Sequence, residues 1–381
     1  MKQLEYSVRF NTPAFLGNAE QQAQWRTPPF KALIRQWWRV VKAKDFGYDH
    51  RRVREAEMRL FGAASDSGQE KSHRSLVRLR LDGWEYGKQN TVESGAAIHH
   101  PEVPAKKDRY GNLVLDSNGK EIHEIGANLY LGYGPVEPNR RNAIAPGDPS
   151  NKLTVLCPDS NADEIRAAMQ LAAWFGTLGS RARNGWGALH IEGEAIKGFA
   201  DLNIPALSGL IAPRPLDDCL KVEWLHALGS DAGGIPLVWR LLKVDKEKRQ
   251  LVPFATWQEV MRELARIKIV FRTSDFFKFV GGGRDGHADP QHRHILAYPA
   301  GSQHNVTAWG NNGRLANQVL FKVHQRGNGY AATIAHFPSR MPVHMATRQQ
   351  LPDQGAVWKE VHRLLDAEKT NGLSRIKGAQ A

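Results

Sequence analysis

The residues best suited to chemistry on an anion lie in Gly179-Ser180-Arg181-Ala182-Arg183-Asn184-Gly185-Trp186-Gly187. Glycines let the main chain turn tightly and bring its N–H groups against a negative charge. Arginine adds forked donors that match phosphate oxygens, and Trp186 adds one large π face. Together these suit a nucleic-acid backbone; a polar hairpin turn with incidental arginines is the plainer alternative. The glycine order, G-x-x-x-x-x-G-x-G, is not a dinucleotide fingerprint, and without a following G-K-[ST] it is not a Walker loop.

A second set of cations sits on the segment 28–44. Lys31, Arg35, Arg39 and Lys42 fall at i, i+4, i+8 and i+11, a narrow helical stripe roughly opposite the one formed by Phe30, Ile34, Trp37 and Val41. No acid occurs between Arg26 and Lys44. A solvated helix face normally mixes both signs and gains i,i+4 pairs, so four like charges in a row point to a neutralising partner, with a merely solvated face as the alternative. The cationic ridge and the bend before Trp186 are expected to converge into one anion-attracting trough.

The histidines raise a separate question. His287, His292, His294 and His304 follow Gly281-Gly282-Gly283, but no cysteine is near them and H-x4-H-x-H has no established ligand geometry. The segment reads as a loop that contacts RNA or protein. Asp275, Asp285 and Asp289 could supply an acid or base but sit in no motif, and general acid–base work needs a group held within reach of the substrate proton.

At 381 residues the chain favours two domains. Lys and Arg number 52 against 39 Asp and Glu, a formal charge of +13, which makes a polyanion such as nucleic acid the expected partner. No apolar run approaches the ~20 residues of a membrane span, and residues 1–10 lack the apolar core of a signal peptide. A soluble, cytoplasmic chain with no membrane partner is expected. Cys157 and Cys219 are far apart and outside any C-x-x-C, so neither a disulfide framework nor a zinc knuckle is supported; no metal and no cofactor is expected.

These side chains need elements to carry them. Leu4, Tyr6, Val8 and Phe10 alternate as in a half-buried strand, and Thr27 with Pro28 opens the helix 28–44. Val77, Leu79 and Leu81 alternate with Arg78, Arg80 and Asp82, a strand with a basic outer face. Residues 85–124 read as a long polar insertion containing a hairpin. Strands at 127–133 and 153–157, a helix at 162–178 and a strand at 186–196 complete a β-α-β-β-α-β order. The fold class is therefore α+β, tandem ferredoxin-like (RRM-like): a first domain 1–204 with the insertion, a linker 205–219, and a divergent second domain 220–381. In the latter, 237–244 and the hairpin 318–326 with 330–337 read as strands, and 256–267 and 358–368 as helices.

Taken in order, Thr12-Pro13-Ala14-Phe15-Leu16-Gly17, Ile34-Arg35-Gln36-Trp37-Trp38-Arg39, Leu60-Phe61-Gly62, the glycine–arginine loop and Gly313-Arg314-Leu315-Ala316 leading into Phe321-Lys322-Val323 resemble the RAMP family. Within it they resemble the first-named RAMP subunit of type III-B CRISPR (Cmr) effector complexes. The resemblance implies a non-catalytic subunit that contacts the 3′ part of the CRISPR guide RNA and the matching end of a single-stranded target RNA, beside other RAMP subunits, in antiviral defence. Arg35, Arg39, Arg181, Arg183 and Arg314 would bind backbone phosphates, with Lys31, Lys42 and Lys322 adding charge and Gly179, Ser180, Asn184 and Gly185 shaping the loop. Trp186 is the expected stacking platform; Trp37 belongs to the core and Trp38 to either role. Two alternatives stay open: a metal-independent RAMP endoribonuclease that processes repeat RNA, and a basic protein–protein scaffold.

Overall fold

The computed structural model of the chain describes residues 1–63, 72–283, 286–310, 313–346, 350–367 and 372–377. Asp285 and residue 368, the end of the expected closing helix, lie outside the described residues.

The alternation at the start of the chain produces β1 (Lys2–Phe10), with Leu4, Tyr6, Val8 and Phe10 buried. Next comes α1 (Thr27–Lys42), whose first turn holds Pro28 and Pro29, where a missing N–H leaves no helical bond unmade. Asp49 caps α2 (His50–Phe61), accepting from the backbone N–H of Arg51 at 2.8 Å. Then follow β2 (Arg78–Leu81), β3 (Ala97–His99), β4 (Glu124–Gly126), α3 (Ala127–Gly132), β5 (Asn151–Cys157), α4 (Ala162–Phe175) and β6 (Leu189–Gly193). The first sheet runs β2-β5-β1-β6, antiparallel throughout. Tyr6 stands opposite Leu153 and Val8 opposite Ile191, so a one-residue slip would turn this whole apolar face outward. Helices α1 and α4 pack together over that face.

The rest of the chain adds α5 (Ile204–Ser208), β7 (Arg214–Pro215), α6 (Leu216–Cys219), β8 (Gly229–Ser230), β9 (Val238–Leu241), β10 (Lys243–Asp245), β11 (Gln250–Val252), α7 (Trp257–Thr273), α8 (His292–Leu296), β12 (Val319–Arg326), β13 (Gly329–His336), α9 (Val343–Ala346), α10 (Gln354–Ala367) and β14 (Leu373–Arg375). Its main sheet runs β12-β13-β9-β14, again antiparallel. In both sheets the principal strands stand in the order second, third, first, fourth. The architecture is mixed α and β on antiparallel sheets, and the halves share core. Phe337 from the second half meets Trp37 at 5.2 Å and Phe175 at 5.4 Å, both edge-on.

Two expected strands are corrected. Residues 127–133 are mostly helix, not strand: Ala127, Asn128 and Leu131 are buried at helical spacing, and α3 packs on α7. The strand expected at 186–196 is confined to Leu189–Gly193, so Trp186 belongs to the preceding loop. Within the insertion, β3 pairs with β4, and a hairpin beyond them bridges Lys107 to Leu113 and Leu115 to Glu121. The buried Arg293 of the second half anchors it, its Nη1 donating to both carboxylate oxygens of Glu102 at 2.5 and 2.7 Å. Among the described residues no helix is long and apolar enough to cross a membrane.

Candidate nucleic-acid interface

Helix α1 buries Phe30, Leu33, Ile34, Trp37, Trp38 and Val40, which turns the stripe of Lys31, Arg35, Arg39 and Lys42 toward α2 and β2. The cations there are not unpaired. Glu57 of α2, its side chain only 3% exposed, accepts from Nε of Arg35, from Nε of Arg39 and, at 2.7 Å, from Nη2 of Arg39. Burial pushes the Glu57 carboxyl up, but the hydrogen bonds from Arg39 and Arg35 outweigh it and hold it below the usual carboxylate range. Lys42 is paired with Asp45 at 2.6 Å and Glu164 at 3.4 Å. Lys31 donates to Ser75 Oγ at 2.8 Å, and burial with the neighbouring Arg35 charge lowers its pKa.

One carboxylate between two guanidiniums leaves a net positive charge, and that charge faces a groove. Between α1 and the edge strand β2 lies a space of about 870 Å³ lined by Lys31, Arg35, Arg39 and Arg78, with Pro28, Val77 and Leu79 among its apolar walls. Arg78 is exposed, and the Nη groups of Arg35 have no protein partner among the described residues. A groove with fixed cations and apolar walls can hold a phosphate chain by charge and sugar faces by contact.

The glycine–arginine loop has a different position and role. It leads into β6, at the opposite edge of the first sheet from β2. The cations of α1 pair with α2, Ser75, Asp45 and α4, whereas the loop bonds to residues 12–16, α3 and the second half, so the expected single trough is not formed. Gly179 has φ +96°, and a Cβ there would lie 2.6 Å from the Phe15 carbonyl oxygen, which also accepts from Ser180 N at 3.0 Å. The close approach that the glycines permit is therefore to protein. Gly185 carbonyl accepts from Thr12 Oγ1 at 2.7 Å. Asn184 donates to Leu131 O at 2.9 Å and accepts from Lys268 Nζ at 2.8 Å. Arg183 donates to Asn317 O, and its own carbonyl accepts from Phe321 N at 3.0 Å.

Several expected contact residues are thereby corrected. Trp186 is fully buried against Phe15 and Trp257 and offers no face to a base. Trp38 is core, edge-on to Phe61 at 5.7 Å. Lys322 is buried, its Nζ donating to Ala172 O at 2.8 Å and Ala173 O at 2.7 Å, where it closes the C-terminal turn of α4. Arg181 is exposed, with Nε on Tyr133 O at 2.7 Å, and Arg314 is exposed with Nη1 on Gly313 O at 2.6 Å.

Glu57 escaped the sequence reading. Its signal was present: Val53, Glu57, Leu60 and Phe61 share one helical stripe, and an acid on an apolar stripe calls for a buried cation. The histidines bond one another and the backbone. His287 Nε2 lies 3.1 Å from His304 Nδ1, His294 Nε2 lies 2.8 Å from His304 O, and His292 stacks on Phe276.

Residues 8–190 match the model of the RAMP superfamily. That stretch is just under half of the chain. The match takes in the α1–β2 groove and the glycine–arginine loop. No curated protein matches the chain. Among solved structures it is similar to Cmr1 from Pyrococcus furiosus in its apo form, at TM-score 0.45 and 14% identity over 99% of each chain. It is also similar to a chain of type III-B Cmr-beta bound to cognate target RNA, at TM-score 0.41 and 10% identity over 96% of this chain and 100% of that one. A chain of a type IV-B CRISPR complex aligns at TM-score 0.29 and 12% identity, covering 56% of this chain and 100% of that one.

Proposed function

We propose that this protein is a RAMP-type, non-catalytic RNA-binding subunit of a type III-B CRISPR effector complex. The groove between α1 and β2 carries the reading: Lys31, Arg35, Arg39 and Arg78 converge there in a chain of formal charge +13. The groove takes single-stranded RNA by its phosphates, largely without regard to sequence. In the assembled complex it holds the 3′ part of the guide RNA and the matching end of the target, beside other RAMP subunits; the ordered motifs from Thr12 to Val323 support this placement. The repeated strand order supports reading the halves, 1–204 and 220–381, as tandem ferredoxin-like domains joined by 205–219. A binder rather than a nuclease fits histidines that are engaged with one another and with backbone carbonyls.

The test is single-stranded RNA binding by anisotropy across a salt series, with Lys31→Ala and Arg78→Ala combined so that the Glu57 cluster is left intact. Loss of two phosphate contacts is expected to make the slope of log K against log salt shallower by about 1.4. Unchanged affinity and slope would overturn the groove reading in favour of a protein scaffold. Discrete products from labelled repeat RNA in EDTA would overturn the non-catalytic assignment. Crosslinks from residue 78 in the reconstituted complex are expected on the 3′ half of the guide, and crosslinks confined to its 5′ end would refute the placement.

A further inference from the structure

With Trp186 buried, the aromatic surface near the groove comes from two residues outside the glycine–arginine loop and α1. Trp84 and Tyr86 are 54% and 53% exposed. They sit three and five residues beyond the last residue of β2, the strand that walls the groove. The backbone beneath them is fixed on two sides. Trp25 N donates to Glu85 O at 3.0 Å and Gly87 N to Ala23 O at 2.8 Å, around a bridge pairing Gln24 with Tyr86, while Gln89 bridges Ala143 on the other side. Gln24 Nε2 also donates to the Trp84 carbonyl at 3.1 Å. Since α1 begins two residues after Trp25, the backbone carrying the aromatic pair is tied to the chain just before Thr27 and Pro28, which line the groove.

We propose that Trp84 and Tyr86 form a clamp for one nucleobase of the single-stranded RNA that runs through the groove, an inference that rests on the RNA-binding reading of that groove. Tyr86 is bridged antiparallel to Gln24, and residues i and i+2 of extended chain lie about 7 Å apart on one side. A spacing of that size admits one base between two rings. Two aromatic rings left in water on a rigid backbone are costly unless covered, and little ordering entropy is lost when they are. The acids nearest in sequence are turned elsewhere: Asp82 pairs with Arg80 at 3.4 Å, and the Glu85 carboxylate folds back over Gly83. The positive groove beside the pair selects a polyanion as occupant, and every base has a face to stack, so the clamp adds affinity without reading sequence.

The test uses the full chain carrying Trp84→Ala with Tyr86→Ala, and two single-stranded RNAs of equal length, one base-bearing and one abasic. Wild type is expected to prefer the base-bearing RNA. The double variant should bind it about tenfold to a hundredfold more weakly, with the salt slope unchanged, and should no longer distinguish the two RNAs. Trp84→Phe with Tyr86→Phe should restore most of the preference, which separates stacking from altered folding. A double variant that binds the base-bearing RNA like wild type overturns the clamp while leaving the groove reading intact, and so does an equal loss on both RNAs. If that variant binds RNA normally but fails to join other RAMP subunits, the pair is a protein-docking face and the clamp is refuted. Absence of RNA binding by wild type would overturn the groove reading and the clamp with it.

Discussion

Glu57 restrains two arginines that would otherwise face the groove as free charges. Replacing it in Glu57→Gln keeps the shape and leaves two guanidiniums facing each other, so the fold should lose about 3 kcal/mol, the low end for a broken buried pair because the Arg35 and Arg39 side chains are 32% and 41% exposed. Chemical denaturation checks this. In the variant that still folds, RNA binding should show a steeper salt slope by up to about 0.7, since one more cation is available; a shallower slope would mean that Arg35 and Arg39 do not face the RNA. Because the folded carboxyl is held below its ordinary range, its contribution is present above the unfolded pKa and fades as pH falls through the folded one. The cations at 31, 35, 39 and 42 were legible in sequence as a stripe. Their pairing was not, because Glu57 lies on another helix and only the packing of α2 on α1 brings it there.

At the scale of elements, strand periodicity and the hairpin at Gly327-Asn328-Gly329 were readable because period-two burial is written residue by residue. The glycine–arginine loop was misread for a physical reason. Glycines that admit a phosphate and glycines that admit a carbonyl look the same in sequence, and here Gly179 admits the carbonyl of Phe15. Lys322 was misread similarly, since its position on a strand gives no sign that α4 ends beside it. In Lys322→Met the carbonyl of Ala173 loses its donor in a buried setting, which should cost about 1–3 kcal/mol by denaturant titration. RNA affinity of the folded variant should stay at the wild-type value; a large drop would return Lys322 to the interface.

Across the whole molecule, stability is coupled to pH through buried histidines. Burial, only partly offset by a bond to the Trp224 carbonyl, takes His226 down to about 4. It likewise takes His294 to about 4 and His362 to about 3. His324 and His336 are also held well below the ordinary value by burial. Each is neutral in the fold while its unfolded counterpart takes up a proton below about 6.5, so the unfolded state binds more protons and stability falls as pH drops from 6.5 toward 4. At pH 5 the loss is about 2 kcal/mol for each of His226, His294 and His362. Denaturant midpoints at pH 7 and pH 5 should differ strongly, and His226→Asn should shrink the difference; equal midpoints would contradict the neutral, buried state.

The parallel bridge from Asn184 to Phe321 ties the first half to β12, the outermost strand of the second sheet. That rim is occupied from within. A neighbour that joined by lending a strand would meet this loop there, and would find the other outer strands at Arg78–Leu81, Leu189–Gly193 and Leu373–Arg375. The second sheet is therefore blunted at one rim by a loop from the first half, which leaves its two rims unequal for sheet extension.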